Sequence, residues 1–122
     1  MAKGDDIEVR LVDFAVTVIH VTDRLPNSRA GNHLAGQLVR SGTNPAAHYA
    51  EARGAKSQKD FIHKLRLCYK ELNESRVWLN IIGAGQLIPR HQIIPIYREC
   101  DELCRIIKAS TQTAKSKLAG HS

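Results

Sequence analysis

The sequence predicts an all-α protein, an up-down-up-down antiparallel four-helix bundle forming a single domain over residues 1–122. Three observations carry that expectation. Apolar residues recur at alternating steps of four and three through most of the chain, which is the seam of a bundle helix. Glycine and proline clusters divide the pattern into four segments with short connections, and short connections make neighbouring helices antiparallel. Aromatic residues are 5% of a chain that is 43% apolar, so Leu, Ile, Val and Ala must fill the core, a composition suited to packed helices.

In the first segment Ile7, Leu11, Phe14, Val18, Val21 and Leu25 form the seam. The opposite face reads as polar, with Arg10, Asp13, Thr17, His20 and Arg24 along it, while Asp5 and Asp6 complement the positive end of the helix dipole. Pro26-Asn27-Ser28 is a turn that offers a cap to the second helix, expected from Ser28–Gly31 to about Ala52. Its middle poses a conflict. Pro45 removes a backbone donor, which costs about 3 kcal/mol in a helix interior, and Gly42 weakens the preceding turn. Local chemistry favours a break near Gly42, with Asn44 as N-cap and Pro45 at the first position of a new helix. The alternative is one helix kinked near Pro45.

Arg53 to Lys56 is a turn, and Ser57-Gln58-Lys59-Asp60 is a capping-box variant in which Asp replaces the usual Glu or Gln. Phe61, Leu65, Cys68, Leu72, Leu79 and Ile82 then hold the seam of helix three, interrupted only by Ser75, until Gly83 and Gly85 end it. Ile93, Tyr97, Cys100, Cys104, Ile107, Thr111 and Ala114 continue the rhythm in helix four, with Pro95 in or near its first turn. Residues 1–4 and 116–122 lack the period and should fray.

No apolar run is long enough to span a bilayer, because Asp13, His20 and Arg24 interrupt the first candidate, so no membrane partner is expected. The charged start MAKGDDIEVR lacks a signal-peptide core, and the chain reads as cytoplasmic. Cys68, Cys100 and Cys104 are an odd set on helical segments, which suggests packed, reduced thiols. They show no CxxC spacing, and the six histidines form no HxxxH or HExxH pattern, so neither metal nor cofactor is expected. A net charge of +6 suits a polyanionic partner such as RNA.

One stretch supports a more specific statement. Gln37-Leu-Val-Arg40-Ser41-Gly-Thr43, Ala47-His-Tyr49-x-Glu51-Ala, Lys56-Ser57-x-x-Asp60-Phe61 and Leu72-x-Glu74 with Trp78 resemble, in order and spacing, the bacterial four helix bundle proteins encoded in intervening sequences of 23S ribosomal RNA genes. The resemblance extends over roughly Val9 to Lys115. It implies a left-handed bundle that assembles as a homo-oligomer, a ring-shaped pentamer, without enzymatic activity. The family is similar in shape to accessory proteins of diversity-generating retroelements, which implies RNA and a reverse transcriptase as partners. Asn44-Pro45 and His48 depart from the family pattern, so helix is expected on both sides of Pro45 with a kink between, and His48 is placed to hydrogen-bond across the bundle.

Three residue groups are candidates for function. Lys59, His63, Arg66 and Lys70 follow four-three-four spacing on one face of helix three and would bind phosphates; the competing reading is a solvated face balanced by Asp60–Lys64 and Lys70–Glu74 pairs. Arg40, Glu51, Arg53, Glu71 and Glu74 lie close to the apolar seams, where a charge needs a partner, so Arg40 or Arg53 should pair with a glutamate across helices two and three. Tyr69, Trp78 and Ile81 lie off the seam of helix three and would be buried against another subunit. Two functions follow from these groups: a non-enzymatic oligomer that binds RNA, ribosomal RNA being one candidate, or an adaptor ring that binds protein.

Overall fold

The structure, a computed structural model, describes residues 4–120 and contains four helices: α1 (Asp5–Asp23), α2 (Arg29–Arg53), α3 (Gln58–Ala84) and α4 (Arg90–Gly120). α1 packs on α2, α2 on α3 and α3 on α4, whereas α1 meets α4 over a shorter stretch and its backbone does not neighbour that of α3. This is the up-down-up-down bundle. α1 and α3 are therefore diagonal, and both run the same way.

Local chemistry starts and stops the helices where the sequence suggests. Ser28 caps α2 by accepting the Gly31 N–H at 3.0 Å, and Ser57 caps α3 by accepting the Asp60 N–H at 3.0 Å. The turn before α2 admits only glycine at position 31, since a Cβ there would lie 2.0 Å from the Pro26 carbonyl oxygen. The seams close into one core from all four helices, with Leu11, Val18, Leu38, Leu65, Leu72, Leu79, Leu103 and Ile107 fully buried. Pro95 falls in the second turn of α4. Of the ends expected to fray, residues 1–3 and 121–122 lie outside the described residues, Gly4 caps α1, and residues 116–120 continue α4 as an exposed last turn.

Of the two readings of α2, helix on both sides of Pro45 holds and the break near Gly42 does not occur. α2 is one continuous helix with Pro45 inside it, and each residue that signalled a break has another use. Gly42 is buried where α2 crosses α1: a Cβ there would lie 2.7 Å from both γ-methyls of Val18. Ser41 is buried and its Oγ bonds Ser75 Oγ of α3 at 2.8 Å. Asn44 caps nothing; its Nδ2 donates to Glu71 Oε2 at 3.4 Å. Pro45 itself is buried in the core. Tertiary contact on both sides of α2 thus outweighs the local penalty of the proline.

Two ionic crossings join non-adjacent stretches of chain. Arg10 of α1 reaches Glu99 (Nη2···Oε1 2.7 Å) and Glu102 (3.4 Å) of α4, and its hydrogen bonds with Glu99 hold the guanidinium above its ordinary pKa range. Arg53 at the end of α2 bonds Asp5 (2.6 Å) and Glu8 (3.0 Å) at the start of α1.

All three cysteines are buried as free thiols. Burial pushes Cys68 up to about 12, and hydrogen bonding with Cys104 together with burial raises Cys100 as well. The Cys100 thiol also donates to the Leu72 carbonyl at 3.2 Å.

Two outcomes follow. Gly42→Ala should destabilise the fold by about 1–3 kcal/mol in urea denaturation, because Val18 cannot retreat; adding Val18→Ala should recover part of that loss. Stability should also fall with alkalinity. Between the ordinary thiol value of 9.0 and about 12, the unfolded chain has released the Cys68 proton and the folded chain has kept it. The slope for that thiol is then about 1.4 kcal/mol per pH unit toward lower stability. Cys68→Ala should flatten the fall in urea titrations carried out at successive pH values above 9.

Candidate nucleic-acid interface

Helical geometry fixes what the outward face of α3 presents. Residues at i, i+4 and i+7 share a face, and Lys59, His63, Arg66 and Lys70 lie exposed on the one opposite the buried seam. None of the four makes an ion pair with a described residue. The balancing pairs expected from the sequence are not formed, because α2 takes their partners. Lys64 Nζ lies 3.8 Å from Glu51 on α2, and Glu74 is bound by Arg40, also on α2. Lys70 thereby keeps an unopposed charge.

α4 enlarges this basic surface with residues that the sequence reading did not single out. Between α3 and α4 lies a depression of about 210 Å3 lined by Arg66, Tyr69, Lys108, Thr111, Gln112 and Lys115. No carboxylate lines it. Three cations, two neutral hydrogen-bonding side chains and a tyrosine converge there, a set that suits a sugar–phosphate backbone. The signal for Lys108 and Lys115 was available, since they stand seven apart on one helix face, but nothing local says which neighbour that face adjoins.

The second predicted group separates into three places. Arg40 joins Glu71 and Glu74: Nη1 lies 2.9 Å from Glu71 Oε2, Nη2 contacts Glu74, and the Trp78 indole N–H donates to Glu74 at 3.1 Å. Glu71 is nearly enclosed, so its charge depends on Arg40 and Asn44. Arg53, at the end of α2, binds Asp5 and Glu8 of α1 instead. Glu51 pairs with His48 of its own helix at 3.3 Å, so His48 does not reach across the bundle.

Tyr69, Trp78 and Ile81 are not brought together either. Tyr69 is half-buried on the α4 side, Trp78 is half-buried on the α2 side with the His33 ring edge-on at 6.0 Å, and Ile81 points outward. The sequence also misassigned the outer face of α1. Arg10, Asp13, Thr17, His20 and Arg24 flank the α4 side, while the face opposite the core carries Val9, Val12, Val16 and Ile19. Among the described residues no His, Cys, Asp and Glu side chains gather as metal ligands, and no helix is long and apolar enough to cross a membrane.

The fold and surface define a four-helix bundle with a carboxylate-free basic depression on its α3–α4 flank. The chain belongs to the 23S rRNA-intervening sequence protein family, whose sequence model matches residues 6–109. It is similar to a Bacteroides thetaiotaomicron protein of unknown function from the S23 ribosomal protein family, known from a crystal structure. The two are 30% identical with a TM-score of 0.80, over 86% of this chain and 97% of that one. No curated protein matches the chain significantly.

Removing Arg40 tests the charge network directly. Arg40→Met should cost about 2–4 kcal/mol by leaving Glu71 enclosed and unpaired, whereas Arg40→Met with Glu71→Met should recover most of it. Additive losses in urea denaturation would show that the pair is not coupled.

Proposed function

We propose that this chain is a non-enzymatic, self-assembling cytoplasmic protein that binds RNA through its α3–α4 flank. The observation that carries this reading is the depression holding Arg66, Lys108 and Lys115 with no carboxylate on its lining, continued outward by Lys59 and Lys70. Cations left without partners on a folded surface retain counterions that a phosphate backbone can displace, which favours binding through the released ions. The family description refers to 23S rRNA, so a structured ribosomal RNA fragment is the first ligand to try. The non-enzymatic part is supported by the adjacent glutamates Glu71 and Glu74, which are engaged by Arg40, Asn44 and Trp78. Self-assembly is supported by half-exposed aliphatic side chains on α1 and α3.

The test is fluorescence anisotropy of a labelled 23S rRNA fragment with nuclease-treated protein across a salt series. Affinity should fall linearly on a log-log plot. Arg66→Glu with Lys108→Glu and Lys115→Glu should weaken binding about tenfold or more and make the slope shallower, with the helical circular dichroism unchanged. Absence of binding at low salt, or binding that the triple variant leaves intact, would overturn the reading and favour a protein partner.

A further inference from the structure

The helices of the bundle differ in length, and the difference opens one end of it. α1 has 19 residues and α4 has 31. Arg10 pairs with Glu99 and Glu102, so α1, antiparallel to α4, starts at about the level of Ile106. The rest of α4 runs on with no described part of α1 beside it. A cleft of about 740 Å3 lies there between α2 and α4, floored by the start of α3. That volume is within the range of small-molecule sites, roughly 300–1,000 Å3. The cleft and the basic depression use different faces of α4: Ile106, Ser110 and Lys117 line the one, Lys108, Thr111 and Lys115 the other.

The lining changes character along its length. Phe61 of α3 with Ile106 and Ala109 of α4 make the inner part apolar, whereas Arg53 and Lys117 stand toward the end of the bundle. Ile106 and Lys117 are about 16 Å apart along α4. Gln58 fixes the floor by donating from Nε2 to the Ala114 carbonyl at 3.1 Å. Arg53 fixes one wall, since Asp5 and Glu8 hold its guanidinium from the α1 side, and neither carboxylate lines the cleft. Lys117, in the last turn of α4, makes no ion pair with a described residue.

Tyr49 is the group that points to a ligand. It is 8% exposed, and its phenolic hydroxyl makes no hydrogen bond with any described residue. Every fully enclosed side-chain polar atom among the described residues has a partner, so this oxygen is not sealed in but opens onto the cleft that Tyr49 lines. Gly4 faces it without a side chain; a Cβ there would lie 2.8 Å from the phenolic oxygen. Burial pushes the phenol above its ordinary pKa, so at neutral pH it keeps its proton and can donate. A polar group this enclosed normally has a partner, and an acceptor can reach this one only through the cleft.

We infer that the cleft binds a small amphipathic monoanion, an aliphatic carboxylate of fatty-acid type. Its chain lies along Phe61 and Ile106, and its carboxylate accepts from the Tyr49 hydroxyl with its charge toward Lys117. The length of the cleft suits an extended chain, and a lining without carboxylates admits the anion. None of the cations of the basic depression takes part, so this inference stands apart from the RNA reading.

The experiment is isothermal titration calorimetry of the full chain with decanoate, with 1-decanol and 1-naphthoate as comparison ligands. Decanoate should bind once per chain and decanol about tenfold more weakly or worse. Tyr49→Phe, which keeps the ring, and Lys117→Gln should each weaken decanoate about three- to tenfold. Ala109→Trp, which fills the cleft from an exposed position, should abolish binding with the helical circular dichroism unchanged. No binding of decanoate, or binding that Ala109→Trp leaves intact, would overturn the site. Equal affinity for decanol, or decanoate binding that Tyr49→Phe with Lys117→Gln does not weaken, would overturn recognition of the anion. Tighter binding of 1-naphthoate than of decanoate would overturn the aliphatic chain in favour of an aromatic acid.

Discussion

The contact on which this bundle depends most is the close approach of α2 to both neighbours at Ser41 and Gly42. With no side chain at Gly42, α1 can bring Val18 to within van der Waals distance of the α2 backbone. On the adjoining face the Ser41–Ser75 hydrogen bond does the same for α3 without leaving a buried hydroxyl unsatisfied. Larger residues at either site would push the helices apart over their middle turns, where Leu38, Leu72 and Cys100 now pack without exposure. The proline three residues on is tolerated because the helix around it is held from two sides. The same approach brings Asn44 and Arg40 within reach of Glu71, so the polar network on the α2–α3 flank follows from the packing.

This explains what could and could not be read from the sequence. The seams were legible because a residue buried by its own helix repeats at a fixed period, and Leu11, Phe14, Val18, Leu65, Cys68, Leu72, Ile93, Cys100 and Ile107 are all in the core. Caps were legible for the same reason: Ser28 and Ser57 act within four residues of themselves. The continuity of α2 was legible only as one of two readings. Gly42, Asn44 and Pro45 have strong local preferences, and the contacts that override them come from Val18, Ser75 and Glu71, which are distant in sequence.

The candidate site shows the same division. Lys59, His63, Arg66 and Lys70 could be placed on one face by arithmetic alone, but their charge state as a group depended on where Lys64 and Glu74 found partners. Both turn toward α2, drawn by Glu51 and Arg40, and the stripe on α3 is left more positive than its own sequence implies. Lys108 and Lys115 join it because α4 lies against α3, a fact of topology that no local pattern contains.

Net charge hides a further asymmetry that bears on assembly. The +6 of the whole chain is the difference between an acidic α1 and a strongly basic remainder. β-branched residues lose side-chain freedom in a helix, so an exposed stripe of Val9, Val12, Val16 and Ile19 gains nothing from helix propensity and nothing from burial in the isolated protomer. Alanine, lysine or glutamate would serve an outward helix face better on both counts. Self-assembly of the kind proposed would supply the missing favourable term, since covering aliphatic surface is worth about 25 cal/mol for each Å2 removed from water.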